Sequence, residues 1–190
     1  MARIRPGFVA VTGAAAVAGA GYVGLVSGAL PVDLGVGQRT RPLGPQVVTI
    51  AADREQVFDI VATPYLGRAT HAMREKIQVL DAGSDLVLAA HRTPLYGGRL
   101  HAVTVETVGF TRPERITFRL VRGPVPHVVE EFRFDDDTAG GTVLTYTGEL
   151  GTDLWALGER WGALVARRWE QAVAASLRAI LTEAQRRANR

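Results

Sequence analysis

The hydrophobic pattern begins with a long run of uncharged residues, from Phe8 to Leu30, which two arginines precede. A helix of this length reaches roughly 34 Å, enough to cross a hydrocarbon core of about 30 Å. The run therefore predicts a single transmembrane anchor over residues 1–30. The alternative is a cleaved secretory signal that ends in the small residues Ser27–Ala29. Against it, the run exceeds the ~7–15 apolar residues that are usual in such signals.

Small residues within this run repeat at helical spacing. They are Gly13, Ala16, Ala20, Gly24 and Gly28, separated by three or four positions. In lipid, such a stripe lets two helix backbones approach closely. We therefore predict that the stripe packs against a second copy of the chain or against a membrane protein complex. The numbers of basic residues on the two sides of the run are almost equal. The amino terminus adds a positive charge on the N-terminal side, so the positive-inside rule favours an N-terminus inside and a domain outside the membrane.

Residues 31–45 are predicted to be a linker, because their three prolines and three glycines oppose both helix and strand. The remaining residues, 46–190, then form one domain of about 145 residues, which is large enough for a single core. A short β-rich run at 46–50 opens this domain. Asp53 followed by Gln56 resembles a capping box, so a helix is predicted to follow that run.

The middle of the domain alternates between apolar and polar residues, with turn residues about every ten positions. Counting the opening run, the predicted strands lie at 46–50, 76–80, 86–92, 99–108, 115–120, 128–134 and 142–150, and a short helix is predicted at 67–73. Short turns between strands of this kind are typical of an antiparallel meander.

The end of the chain has the spacing of a long amphipathic helix, capped by Thr152 or Asp153. Its apolar positions are Leu154, Leu157, Trp161, Leu164, Val165, Ala172, Val173, Leu177, Ile180 and Leu181. Roughly thirty residues is long for a helix in a domain of this size, so it needs a long partner surface. A curved antiparallel sheet of about seven strands supplies that surface. The predicted fold class is α+β.

Composition narrows the function only by exclusion. The formal net charge is +3, and the charges are mixed rather than gathered into a basic patch with aromatic residues, so we predict no nucleic-acid binding. Nearly all basic residues are arginine, which fits a GC-rich bacterial coding bias. The chain has no cysteine, which excludes disulfides and thiolate chemistry. No metal-ligand spacing, phosphate loop or nucleophile motif is present, so we predict neither a metal nor a cofactor.

Three local segments resemble the START-like superfamily, in its polyketide cyclase/dehydrase-like branch, also called SRPBCC. Residues 48–58 (VTIAADREQVF) resemble the opening V-x-I-x-A-P-x-E-x-V-F, with Asp53 in place of the usual proline. Residues 112–118 (RPERITF) resemble the strand entry x-P-x-R-I-x-F, and residues 140–144 (GGTVL) resemble the hairpin G-G-T-x-V/L. The resemblance covers about residues 46–185. The membrane anchor is an addition to the common domain.

The resemblance implies a helix-grip fold, in which the long helix lies across the concave face of the sheet and encloses an apolar ligand pocket. Strand and helix phases nominate residues that would line it. These ligand-binding candidates are Phe118, Leu120, Glu130, Phe132, Tyr146, His101, Trp161 and Leu164, with Leu157 and Val165 also on the helix wall. On the strand before His101, either His91 or Arg92 points inward, and the pattern leaves this choice open.

Glu130 is the most informative candidate, because it lies in phase with the two phenylalanines of its strand, whereas Glu131 lies in phase with Arg133. A carboxylate that faces an apolar pocket must be protonated, hydrogen-bonded or paired. Tyr146 on the neighbouring strand is the expected donor. Trp155 and Trp169 lie near the edges of the helix stripe, where we expect rim packing in the domain itself, and the alternative is exposed contact with lipid headgroups or a partner.

We therefore predict a membrane-tethered domain that binds a hydrophobic small molecule or a lipid. One alternative is an accessory subunit of a membrane protein complex that docks through the small-residue face of its anchor. A second alternative is an enzyme of the cyclase/dehydrase type, in which Glu130, Tyr146 and His101 would act on a carbonyl substrate. Fold alone does not decide between these functions. Binding without catalysis is the preferred hypothesis, and no catalytic residue is assigned.

Overall fold

The computed structural model describes residues 18–30, 32–67 and 71–189. The elements in chain order are β1 (Arg39–Ile50), α1 (Arg54–Ala62), a 3-10 turn (Thr63–Tyr65), α2 (His71–Lys76), β2 (Ile77–Ala82), β3 (Leu86–Leu95), a second 3-10 turn (Tyr96–Gly98), β4 (Leu100–Thr111), β5 (Arg115–Arg122), β6 (His127–Asp136), β7 (Thr142–Thr152) and α3 (Trp155–Ala188). A further helical segment at 18–26 precedes them.

The strands form one seven-stranded sheet in the order β1-β7-β6-β5-β4-β3-β2. Every neighbouring pair is antiparallel. The helix α3 packs across β1 and β7 and also touches α1. The predicted seven-stranded antiparallel sheet with its long C-terminal helix is therefore confirmed, in the helix-grip arrangement that the resemblance implied.

Strand β1 begins earlier than the sequence indicated. Residues 39–45 were predicted as linker, but they pair with β7 from Arg39 opposite Thr152 onward. The register shifts between Leu43 and Gln46, where Gly44 has a φ of +77°. An edge strand tolerates proline, because the side that lacks N–H groups can face away from the ladder. Pro42 is thus accommodated in an edge strand, and Pro45 lies at the bulge in that strand.

The start of α1 follows its sequence signal. The Asp53 carboxylate accepts a hydrogen bond from the backbone N–H of Gln56 at 2.7 Å, as an N-cap should. The start of α3 does not follow its signal, because Leu154 takes the cap position with a φ of +67° and makes no side-chain cap. Asp153, predicted as a cap, instead accepts hydrogen bonds from the backbone of Leu34 and Gly35.

The core lies between the concave face of the sheet, α1 and the buried face of α3. That face of the helix consists of Gly158, Gly162, Val165, Ala166, Val173, Leu177 and Ala184. The two glycines let the helix approach the sheet closely, since a Cβ at Gly162 would lie 2.9 Å from Thr152 Cγ2. Leu157 and Leu164 were predicted on the inner wall, but their side chains are 68% and 43% exposed. Val165, which was predicted on the same wall, is buried, so the inner face of α3 overlaps the predicted one in part.

The predicted membrane anchor falls largely outside the described residues, and Gly13 and Ala16 lie there too. Within the described part of the chain, no helix is both long and apolar enough to cross a membrane. The helical segment ends at residue 26, so Gly28 lies in the following turn and does not continue the helical stripe of Ala20 and Gly24. A Cβ at Gly24 would collide with Leu30 of the same segment. Gly24 and Gly28, the last two residues of the stripe, therefore pack against their own chain.

Candidate functional site

The centre of the concave face carries a cluster of polar side chains enclosed by aromatic rings. Strand alternation places Phe118 of β5 opposite Glu130 of β6, and Phe132 of β6 opposite Tyr146 of β7. The rings of Phe118 and Phe132 meet edge to face, with centroids 5.8 Å apart. The polar groups of this face are thus held in a largely apolar enclosure, where an unpaired charge is costly.

Glu130 is the central polar residue of the cluster. Its Oε1 accepts a hydrogen bond from the Tyr146 hydroxyl at 2.6 Å and another from the Trp169 indole N–H at 2.6 Å. The Glu130 side chain is buried, and so is Tyr146. The predicted contact between Glu130 and Tyr146 is therefore present. Trp169, which was expected in rim packing, instead reaches from α3 to the carboxyl group.

A second polar group lies next to Glu130 on β3 and β4. His91 Nδ1 is 3.1 Å from Glu106 Oε2, which is within the distance of an ion pair. The other ring nitrogen, His91 Nε2, lies 3.0 Å from the Tyr65 hydroxyl. The side chain of Glu106 is only 6% exposed and that of His91 18%. Of these three groups, the sequence analysis had left the orientation of His91 open and had missed Glu106 and Tyr65.

The two carboxyl groups have opposite pKa shifts. Burial and the neighbouring charge of Glu106 raise the pKa of Glu130 to about 7, although its two hydrogen-bond donors and the charge of His91 act against this. Burial also acts to raise the pKa of Glu106, but His91 and a hydrogen bond from Thr104 outweigh it and hold that pKa below its usual range. Near neutral pH one carboxyl is therefore ionised and the other is close to its titration point.

His91 and Tyr65 complete this electrostatic unit. Burial acts to lower the pKa of His91, but the charges of Glu106 and Glu130 and the contact with Glu106 raise it above its ordinary value. Burial and the same two carboxylates raise the pKa of Tyr65 well above its ordinary value, so this phenol stays protonated. The cluster can therefore exchange a proton at Glu130 near neutral pH, and Tyr65 and Tyr146 act as fixed hydrogen-bonding groups.

The structure brings together some of the predicted ligand-binding residues and separates others. Phe118, Glu130, Phe132 and Tyr146 meet at the centre of the concave face, and Leu120 and Trp161 are half-buried beside the core. His101 is exposed and pairs with Pro94 across the β3–β4 hairpin, so its predicted inward orientation is wrong. Between His91 and Arg92, it is His91 that points inward, and Arg92 instead donates to Gln78 on the surface.

Two hollows of the described surface lie away from the space between the sheet and α3. One of about 640 Å³ lies on the outer face of the sheet, beside Thr107, Thr117 and Arg119. The other, of about 370 Å³, lies near Asp33 and Asp153. The described residues also contain no group of three or more His, Asp or Glu side chains suited to a metal ion.

Comparison with known proteins gives a family and a fold. Residues 45–185 match the family model described as polyketide cyclase / dehydrase and lipid transport. None of the curated proteins matches the chain.

Solved structures show the same fold at low identity. The Zhui aromatase/cyclase from Streptomyces sp. R1128 is 20% identical, with 80% of this chain and 96% of that chain covered and a TM-score of 0.62. TTHA0849 from Thermus thermophilus is 14% identical over 77% of this chain and 97% of that chain, with a TM-score of 0.58. Norcoclaurine synthase from Thalictrum flavum, in complex with dopamine and hydroxybenzaldehyde, is 11% identical over 77% of this chain and 87% of that chain, with a TM-score of 0.58. At these identities the likeness concerns the fold alone.

Proposed function

Because the chain belongs to the polyketide cyclase / dehydrase and lipid transport family, we propose that its concave face binds a hydrophobic small molecule or lipid that carries a carbonyl or hydroxyl oxygen. The observation that carries this proposal is the Glu130 carboxyl group, buried among aromatic rings and held by Tyr146 and Trp169. A buried polar group of this kind has a cost in stability, which a role in orienting a ligand explains.

The chemistry of Glu130 suits an oxygen-bearing ligand. Its Oε1 already accepts both protein donors, which leaves Oε2 for a ligand. Since the pKa is about 7, the group is mostly neutral in mildly acidic solution and can donate a hydrogen bond to a ligand oxygen. Phe118 and Phe132 would contact the apolar body of the ligand, and Leu120 and Trp161 would border it.

An uncharged fluorescent ketone such as prodan tests this proposal, because its emission reports transfer into an apolar site. Affinity should fall about tenfold between pH 5.5 and 8.5, as Glu130 loses the proton that it donates to the carbonyl. Glu130→Gln keeps an N–H donor at every pH, so its affinity should not vary with pH. The matched control is Glu131→Gln, since Glu131 faces the outer surface near Arg115 and its loss should leave the pH dependence intact. Absence of binding, or a pH dependence that survives in Glu130→Gln, would refute the proposal.

A second candidate function is acid–base catalysis of the cyclase/dehydrase type. The observation that favours it is the neighbouring pair of carboxyl groups with opposite pKa shifts, an arrangement that separates a proton donor from an ionised partner. Solved structures of the same fold include an aromatase/cyclase and norcoclaurine synthase. The prodan experiment separates the two functions: a binding site returns the ketone unchanged, whereas an acid–base site exchanges its α-protons with deuterated solvent and loses this activity in Glu130→Gln.

We keep the membrane tether as a separate proposal, in which residues 8–30 enter a bilayer only after residues 18–30 leave the domain surface where the structure places them. It rests on the uncharged run at 8–30 and on the suitability of a bilayer as a source of apolar ligands. The same run supports the alternative of an accessory subunit that docks on a membrane complex. The full chain should float with liposomes in a density gradient, and removal of residues 1–30 should leave the domain at the bottom. Recovery of the full chain without lipid would count against the tether.

A further inference from the structure

Residues 18–30 lie across one end of the concave face, which is called the mouth here. The mouth has two sides. On one side is Trp161 of α3, whose indole N–H donates to the carbonyl of Pro124 at 2.7 Å. On the other side are Tyr96, Val103 and Arg122, from the β3–β4 hairpin and the end of β5. The β3–β4 hairpin, the end of β5 and the first turns of α3 thus lie at the same end of the sheet, on either side of residues 18–30.

The N-terminal segment touches both sides of the mouth. The Tyr22 hydroxyl lies 2.9 Å from the Tyr96 hydroxyl, and the Tyr22 ring meets Trp161 edge to face with centroids 6.1 Å apart. The Arg122 guanidinium donates to the carbonyl of Gly28. Val26, between these contacts, is only 5% exposed. The segment therefore bridges the gap between α3 and the sheet.

Gly28 is fitted closely to this position. Its φ is +68°, and a Cβ there would lie 3.1 Å from the carbonyl oxygen of Val103. Both facts favour glycine, because a side chain would be strained by the backbone and crowded by β4. The contacts of Tyr22, Val26 and Gly28 are called the latch.

The chain that follows the latch is fixed separately. Leu154 and Trp155 donate their backbone N–H groups to the carbonyls of Val36 and Gly37, at 2.8 and 2.9 Å. Asp153 accepts from the backbone of Leu34 and Gly35. The latch, by contrast, consists of a few contacts, and its Tyr22–Tyr96 bond is exposed. Segments with few buried contacts open at low free energy, so the latch can release while residues 34–37 stay attached.

We infer that residues 18–30 form a lid on the ligand site, which closes the mouth when the site is empty and must leave it before an apolar ligand can enter. Its role rests on the proposed function, since a lid serves only a site that takes a ligand. The segment lies outside the matched family region at 45–185, so it is a feature of this chain added to the common domain.

The lid can be tested without any ligand, because the chain has no cysteine of its own. Leu120→Cys places one thiol on the inner face of β5, next to the mouth, and its rate of reaction with a maleimide reports opening. Tyr22→Ala removes the ring contact and the hydroxyl bond, so it should speed labelling about tenfold. Gly28→Ala should speed labelling by a second, independent route. Gly140→Ala is the matched control, since its φ is +83° and nothing lies within 4 Å of its Cβ position.

Prodan binding to the same variants, with Leu120 intact, is the second measurement. If lid and ligand exclude each other, the latch variants should raise the association rate and the affinity by the same factor and leave the dissociation rate unchanged. Faster labelling without prodan binding would support the lid and refute the proposed function. The lid is overturned by unchanged labelling in both latch variants, by equal acceleration in Gly140→Ala, or by weaker prodan binding in the latch variants, which would make the segment a wall of the site.

Discussion

Relative to wild type, Glu130→Gln should gain about 3 kcal/mol of unfolding free energy as the pH rises from 4.5 to 8.5. In the folded protein the pKa of Glu130 is about 7, against an ordinary value of 4.5. Between these values the folded state holds a proton that the unfolded state has released. Wild-type stability therefore contains a contribution that falls as pH rises through this window. Glutamine has no proton to lose, so the variant should lack this slope.

Urea unfolding at pH 4.5, 6.5 and 8.5 measures the effect as the difference in unfolding free energy between variant and wild type. Glutamine can still accept from Tyr146 and Trp169, so the two proteins should differ little at pH 4.5. Glu131→Gln is again the control, because that carboxylate lies on the outer face near Arg115. The difference in unfolding free energy between Glu131→Gln and wild type should be nearly constant with pH. Parallel pH profiles for Glu130→Gln and wild type would show that the carboxyl is ionised in the folded state well below pH 7.

Most of the fold could be predicted from local signals. Alternation gave the strands, and turn residues gave their antiparallel order, since each consecutive pair from β2 to β7 is joined by a short connection. The start of β1 could not be predicted, because two prolines and a bulge hide its pairing with β7. The beginning of α3 was misjudged because Leu154 adopts a left-handed conformation that no local sequence signal indicates.

The site was only half predictable, and β4 shows why. On this strand His101, Val103 and Val105 form the more apolar face in the sequence, which suggested that His101 points inward. The structure buries the other face, with Thr104 9% and Glu106 5% exposed. Hydropathy is a poor guide where the buried face of a strand carries a polar cluster, because its polar groups are satisfied by distant partners such as His91.

Glu130 was found for the opposite reason, since it lies between Val128 and Phe132 on a face that is otherwise apolar. Its partner Trp169 could not be assigned from the helix pattern alone. The sequence placed the inner stripe of α3 through Leu157 and Leu164, but close contact at Gly158 and Gly162 rotates the helix away from them. The orientation of a helix thus depended on two small residues that a hydrophobic pattern treats as gaps.

Glu106→Gln should destabilise the protein, and its loss of unfolding free energy relative to wild type should be largest in acidic solution. It removes the charge beside the buried His91, and breaking a buried ion pair costs about 3–5 kcal/mol. In wild type the pKa of His91 is raised, so the stability it contributes is full below its ordinary value of 6.5 and is lost as pH rises through the folded pKa. In the variant, burial lowers the pKa of His91 instead. The variant should therefore be least stable, relative to wild type, near pH 5.5, and the difference should shrink by pH 9.

The double variant Glu106→Gln/Glu130→Gln tests whether the two carboxyl groups form one unit. The charge of Glu106 helps to raise the pKa of Glu130, so that pKa should fall toward 4.5 in Glu106→Gln. The unfolding free energy that Glu130→Gln adds at pH 8.5 should then be smaller in the Glu106→Gln background than in wild type. Urea unfolding of all four proteins at pH 5.5, 7 and 8.5 measures this coupling. Additive effects at every pH would mean that the two groups titrate independently, and the acid–base candidate would lose the interaction that favours it.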